Sequence, residues 1–474
     1  MRRSETALAL ALAALGLAAC DDGIDIIGEC TVGDVRRVTD VPLEPSVGLL
    51  DGRVFVSLSA EVPAEDLTVR RSEHYGLWLD EELEAASELL WLGSGLHSAS
   101  RALWLRHEGA LVAHIWSRPE PPPPWSEETI SLWTVTLPPE AQAAARPIHL
   151  EVPPPVEGDP SIRAFGMGVL FQPAEEQLFP AAATASDVVG TLVAAPLACG
   201  ERYGNYDRLH LFSLEQTTAF PVLWGDAACE GELYDFSMAV ATPWLYAGGD
   251  GRLSVLFRAG AADDGHVRLL RLNDDLTIRD GPRVVGGVDL SSSGIDGFQP
   301  RAVAVPGGRV LFLERISGGN DCHVLRIMNE DGECAEDAPW QLPCYGDGGR
   351  YGDRDLITGY LELVSVPGGA VVVWGQHTNP HELRVHAGID YREGIYATLL
   401  TPEGRRGSAI VEVTDPGATA LPFAPRPGIL GPYPVKPIPS AASEGDDLVV
   451  AWPDRREHAP GVYLRRLTCT VLRD

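Results

Sequence analysis

The residues that could do chemistry fall into a few short clusters, and a plainer reading competes with each. The stretch HTNPHELRVH carries His377, His381 and His386. Histidines four apart on a helix share one face and can hold zinc together. Asn379-Pro380 lies between the first two, and proline blocks a regular helix there. A loop with polar histidines is therefore expected, and His377 and His381 stand only as weak metal candidates. The stretch DGGRYGDRD places Asp347, Asp353 and Asp355 close together. Calcium favours clustered oxygen ligands, yet this spacing matches neither an EF-hand loop nor the repeats of calcium β-rolls. A solvated acidic loop is the expectation, so no metal or other cofactor is expected, with zinc and calcium as the weak exceptions.

Linear catalytic signatures are missing. The chain has no G-x-S-x-G elbow, P-loop, H-E-x-x-H or dinucleotide fingerprint. With 67 acidic residues in 474, no carboxylate pair can be singled out as acid and base. The formal net charge of −30 excludes nucleic acid as a partner, because phosphate binding needs clustered cations. It also opposes anionic lipid head groups and favours a soluble body.

The elements that would position any site begin with the N-terminus. Arg2 and Arg3 precede an Ala, Leu and Gly run from Ala7 to Ala19, a charged start followed by an apolar stretch of signal-peptide length. That run is shorter than the roughly 20 residues a membrane-spanning helix needs. It ends in Leu17-Ala18-Ala19-Cys20, and here the chain resembles the bacterial lipoprotein precursors with their lipobox. The resemblance implies cleavage before Cys20, a lipid thioether on its sulfur, and fatty acyl (palmitate-type) chains that anchor the protein. The implied division is 1–19 signal peptide, 20–30 anchor and short tether, and 31–474 ectodomain. The implied location is the cell envelope, at the outer membrane or the periplasmic face of the inner membrane.

Seven other cysteines remain: Cys30, Cys199, Cys229, Cys322, Cys334, Cys344 and Cys469. In an exported protein spaced cysteines read as disulfides before metal ligands. Cys199 with Cys229 is the natural local pair, and two of Cys322, Cys334 and Cys344 form another. Cys30 with Cys469 would join the two ends of the ectodomain, leaving one cysteine over.

The ectodomain repeats. AVAVPGGRVLFLE at 302–314 and LVSVPGGAVVVWG at 363–375 are both an apolar run, a Pro-Gly turn and a second apolar run, the grammar of a β-hairpin. Weaker copies give seven hairpins marked by Gly52, Gly109, Gly166, Gly251, Gly308, Gly369 and Gly445, with several intervals of 57 residues. An aromatic residue follows each turn. Runs such as VVVW and LVVAW do not alternate, so both strand faces should be buried. The one helix candidate is DEELEAASELLWL at 80–92. Four-stranded units at this spacing resemble a β-propeller, here with seven blades, and the fold class is all-β. Tandem β-sandwiches are the alternative. Residues 31–43 would supply the strand that the last blade lacks, bringing Cys30 beside Cys469. PEPPPPW at 119–125 reads as a polyproline spacer that could also dock a partner.

These readings favour a lipid-anchored, non-catalytic module binding a protein or glycan partner. The alternative is an envelope hydrolase or lyase with a metal-assisted site at the propeller channel.

Overall fold

The computed structural model describes residues 28–62, 71–96, 103–107, 109–116, 127–136, 144–151, 181–185, 188–196, 207–213, 222–224, 241–259, 266–275, 277–287, 301–316, 322–332, 336–340, 342, 356–378, 392–414, 439–454 and 459–471. The described chain forms seven four-stranded antiparallel sheets. In six of them the strands follow chain order from inner to outer, and each sheet is one blade. The inner strands are Glu44–Leu50, Leu103–His107, Ala181–Ala185, Ala241–Ala247, Arg301–Val305, Leu356–Val366 and Ser440–Glu444, of blades 1 to 7 in turn. Each inner strand touches its neighbours in order, and the seventh touches the first, so the ring closes into a seven-bladed β-propeller.

Local sequence explains the hairpins. Asp51 and Gly52 both adopt positive φ, 50° and 74°, as a tight two-residue hairpin with the twist of its strands requires. Gly307 and Gly308 do the same after Pro306, at 86° and 69°. In blade 6 the left-handed residue is Gly368, one place before the expected marker, and Gly369 already pairs with Val366. The third hairpin falls later than expected. Blade 3 opens with Ala181–Ala185 against Val188–Pro196, and the turn between Ala185 and Val188 has no glycine. The expected marker Gly166 lies outside the described residues.

The one helix candidate, at 80–92, is not a helix, in keeping with the all-β reading. Asp80 Oδ1 accepts hydrogen bonds from the backbone N–H of Glu82 (3.0 Å) and Glu84 (2.9 Å), and Leu83 turns to positive φ (62°) to bury its side chain. Those local bonds make a wide turn, and the chain resumes as the outer strand Leu90–Leu96.

The core lies in wedges between blades, which is why the apolar runs do not alternate. In the second strand of blade 6, Val371 and Val373 pack toward blade 7, while Ala370, Val372 and Trp374 pack toward blade 5. In blade 7, Leu448, Val450 and Trp452 face blade 6, and Val449 and Ala451 face blade 1. Phe55, Phe312, Trp374 and Trp452, aromatics that follow their turns, are fully buried.

Blade 7 is composite. Its outer strand is Gly28–Thr39, paired antiparallel with Gly461–Val471 so that Cys30 faces Cys469. The two cysteines form a disulfide that spans 439 residues of sequence. Arg465 reinforces the seam: its guanidinium donates to the carbonyl oxygens of Gly33 (2.6 Å) and Val413 (2.9 Å), tying the N-terminal strand and blade 6 to blade 7.

Candidate functional site on the propeller axis

Counting back from each hairpin turn lines up the inner strands. The last paired residue before the turn is Leu50 in blade 1, Val305 in blade 5, Val366 in blade 6 and Glu444 in blade 7. Four residues earlier stand Ser46, Arg301, Glu362 and Ser440. The propeller thus sets four polar side chains at one height around the axis, on the consecutive blades 5, 6, 7 and 1.

This layer is shielded from water. Ser46, Ser440 and Glu362 are buried, and the Arg301 side chain is 14% exposed. Arg301 Nε lies 3.4 Å from Glu362 Oε2, so a cation of blade 5 and a carboxylate of blade 6 meet across the inter-blade seam. On its other side the Arg301 guanidinium carbon sits 4.2 Å from the ring centroid of Trp244, on the inner strand of blade 4. Trp244 is itself fixed by its indole N–H, which donates to Ala302 O at 3.0 Å. The arginine is thereby held between an aromatic face and a carboxylate. In the serine half of the layer, Ser440 Oγ accepts from the backbone N–H of Val47 (3.2 Å), and the Ser57 hydroxyl donates to Ser46 O (3.4 Å). Glu44 opens the inner strand of blade 1, two residues from Ser46 on the same strand face, with a buried Oε2 that has no hydrogen-bond partner.

A second polar set lies at the end of the ring where the hairpin turns are. Ser365 Oγ donates to Ala304 O (3.3 Å) and Ser443 Oγ to Ser365 O (2.7 Å), stitching blades 5, 6 and 7. Glu444 accepts from the N–H of Gly52 (2.9 Å) and pairs with Arg106 of blade 2. These groups satisfy one another and fix the inner strands. Away from the axis, His74 is buried on the third strand of blade 1, and burial lowers its pKa to about 4.

The residues singled out from sequence lie elsewhere. His377 is on the second strand of blade 6, in register with Leu356 and Glu393. His381, His386, Asp347, Asp353, Asp355 and residues 119–125 lie outside the described residues, as do Cys20, Cys199, Cys229, Cys334 and Cys344. Cys322 opens the third strand of blade 5, opposite Ile316. Among the described residues no three His, Cys, Asp or Glu side chains converge to hold a metal ion. The axial layer itself was missed, although a signal was present. RAVAVPGG and ELVSVPGG align from Arg301 and Glu362 onward, and the matched stretches 302–314 and 363–375 begin one residue after the charged pair.

Fold and site together define a seven-bladed β-propeller with a recessed polar layer on its axis. No family model matches the chain, and no curated protein matches its sequence. Among solved structures it is similar to the polysaccharide lyase Uly1, with 11% identity over 78% of this chain and 89% of that one and a TM-score of 0.40. It is also similar to a GH43_1 enzyme from Xanthomonas citri complexed with xylotriose (11% identity, 79% and 93% of the two chains, TM-score 0.34). A third is the levansucrase of B. subtilis (10% identity, 68% and 86%, TM-score 0.38). The expectation of a non-catalytic module is corrected at this point: most of the similar structures are carbohydrate-active enzymes, among them glycoside hydrolases and a lyase, alongside a lectin and a prolyl oligopeptidase. That expectation rested on missing linear motifs, and an axial site assembled from several blades need leave none. At these identities and scores the likeness transfers no activity, and the propeller rests on the seven sheets and the contacts that close their ring.

Proposed function

We propose that the protein is an envelope enzyme that cleaves glycans at the axial layer, with Glu362 as its acid/base carboxylate and Arg301 as the group that orients it. One observation carries the reading: a buried carboxylate and a buried guanidinium face each other on the axis, where an apolar pair would fill the space at lower desolvation cost. Charged groups kept in such a position are candidates for chemistry. Glycosidic cleavage uses two carboxyl groups flanking the bond. Glu44 is the second candidate, since its unpartnered buried oxygen would be satisfied by a sugar hydroxyl. Hydrolysis is favoured over elimination, because lyase substrates carry uronate groups that a chain of net charge −30 repels. The proposal includes acylation at Cys20, which would hold the enzyme at the membrane by its lipid.

The test is a screen of the mature protein against neutral polysaccharides, reading released reducing ends. A substrate cleaved by the native protein should be left intact by Glu362→Gln, with thermal unfolding showing that the variant remains folded. Cleavage that survives Glu362→Gln, or no cleavage across the panel, would overturn the assignment.

A further inference from the structure

Seven large apolar side chains are exposed among the described residues. Ile278 and Val284 lie on the outer strand of blade 4. The other five fall in one sector. Ile410 is in the outer turn of blade 6, Val32 on the outer strand of blade 7, and Val41 between that strand and blade 1. Leu89 and Trp91, 57% and 61% exposed, stand on the outer edge of blade 1. The sector is continuous. The outer strand of blade 7 touches the outer half of blade 6, where the Gly28 N–H donates to Gly407 O at 3.0 Å, and Arg36 reaches Glu84 of blade 1 at 3.4 Å.

Gly28 is also where the described chain begins. Only seven residues, Asp21 to Ile27, separate it from Cys20. A fully extended chain gains at most about 3.5 Å per residue, so a lipid on Cys20 keeps the bilayer within about 28 Å of Gly28. The rim nearest the tether thus carries five of the seven, including an exposed tryptophan of the kind that settles at membrane interfaces.

We infer that the outer rim of blades 6, 7 and 1 is a lipid-contacting edge that lies against a phospholipid bilayer, with Trp91 and Leu89 inserted at head-group depth. The inference rests on the lipid-anchor reading above. Glu82, Glu84 and Glu88 precede Leu89 and Trp91 in the chain and are exposed, which selects zwitterionic over anionic lipid.

The mature protein is purified from membranes, its amino-terminal peptide is weighed for acylation at Cys20, and it is placed in phosphatidylcholine vesicles with brominated acyl chains. Buried indoles such as Trp78, Trp374 and Trp452 are out of reach of the bromine. The native protein should show quenched emission, Trp91→Phe should lose most of the quenching, and Leu89→Ser with Ile410→Ser should weaken it with Trp91 still in place. An acylated protein whose quenching is absent or indifferent to Trp91 overturns the edge and leaves the anchor standing. An unacylated protein that is still quenched through Trp91 keeps the edge and removes the anchor, whereas one with no quenching overturns both. A doubled mass without lipid, with Trp91 emission insensitive to bromine, shows a second copy on this rim and overturns the lipid assignment.

Discussion

Blades 5 and 6 are joined twice by an arginine of the first and a glutamate of the second, and the two pairs differ in where they sit. Arg309 and Glu403 meet near the hairpin turns with side chains 41% and 54% exposed. Arg301 and Glu362 meet on the axis with side chains 14% and 11% exposed. Water screens the first pair, and it can contribute little to stability. The second has given up its hydration, and an apolar pair of the same volume would often be as stable or more so. The same chemistry between the same blades is therefore a minor staple in one place and an unexplained cost in the other, unless the axial pair serves a reaction.

The largest expected effect comes from splitting the axial pair. Arg301→Met strands the Glu362 carboxylate in a site built for a cation, and a loss of about 3–5 kcal/mol is expected. Arg301→Met with Glu362→Leu should recover most of that loss while remaining inactive, as read by urea unfolding and the glycan assay. Equal losses in the single and double variants would show that the pair is simply a strong staple, and the contrast between the two sites would collapse.

Next is the ring closure, where stability is expected to reside. Cys30→Ala with Cys469→Ala opens a bridge spanning 439 residues. A loss of about 2–5 kcal/mol is expected, with glycan cleavage unchanged below the lowered melting temperature. Calorimetry under oxidising and reducing conditions checks it, and the native protein under reduction should match the variant.

The closure was legible in the sequence and the axial layer was not, for physical reasons. Hairpins announce themselves through glycines such as Gly52, Gly307 and Gly308, because positive φ excludes most other residues. Between Ala185 and Val188 of blade 3 the sequence has no glycine, and the signal is missing there. Arg301 and Glu362 show in the sequence only as the first residues of two aligned hairpins, and what joins them is register across two blades 61 residues apart. Around Leu83 a faint helical pattern gives way to the short-range bonds of Asp80.

The pH response sharpens the contrast from a third position. Burial holds the His74 imidazole neutral, with a pKa of about 4 against 6.5 for the ordinary group. The unfolded chain therefore binds a proton the folded chain refuses. Stability from this group is intact above pH 6.5, falls as pH drops toward 4, and is constant below that, with a total change of roughly 3 kcal/mol. His74→Gln should flatten that part of the stability–pH curve without altering the difference between the two ion pairs.

The smallest effect is the control that gives the others meaning. Glu403→Ala removes the exposed pair with Arg309, and the expected loss is at most about 1 kcal/mol, shrinking further in salt as surface charges are screened. The arginine left behind stays hydrated, so no buried charge is stranded and cleavage should be untouched. Urea unfolding at low and high salt measures it. A loss as large as that from Arg301→Met would mean that burial does not separate the two sites, and the case for chemistry at Glu362 would lose its energetic support.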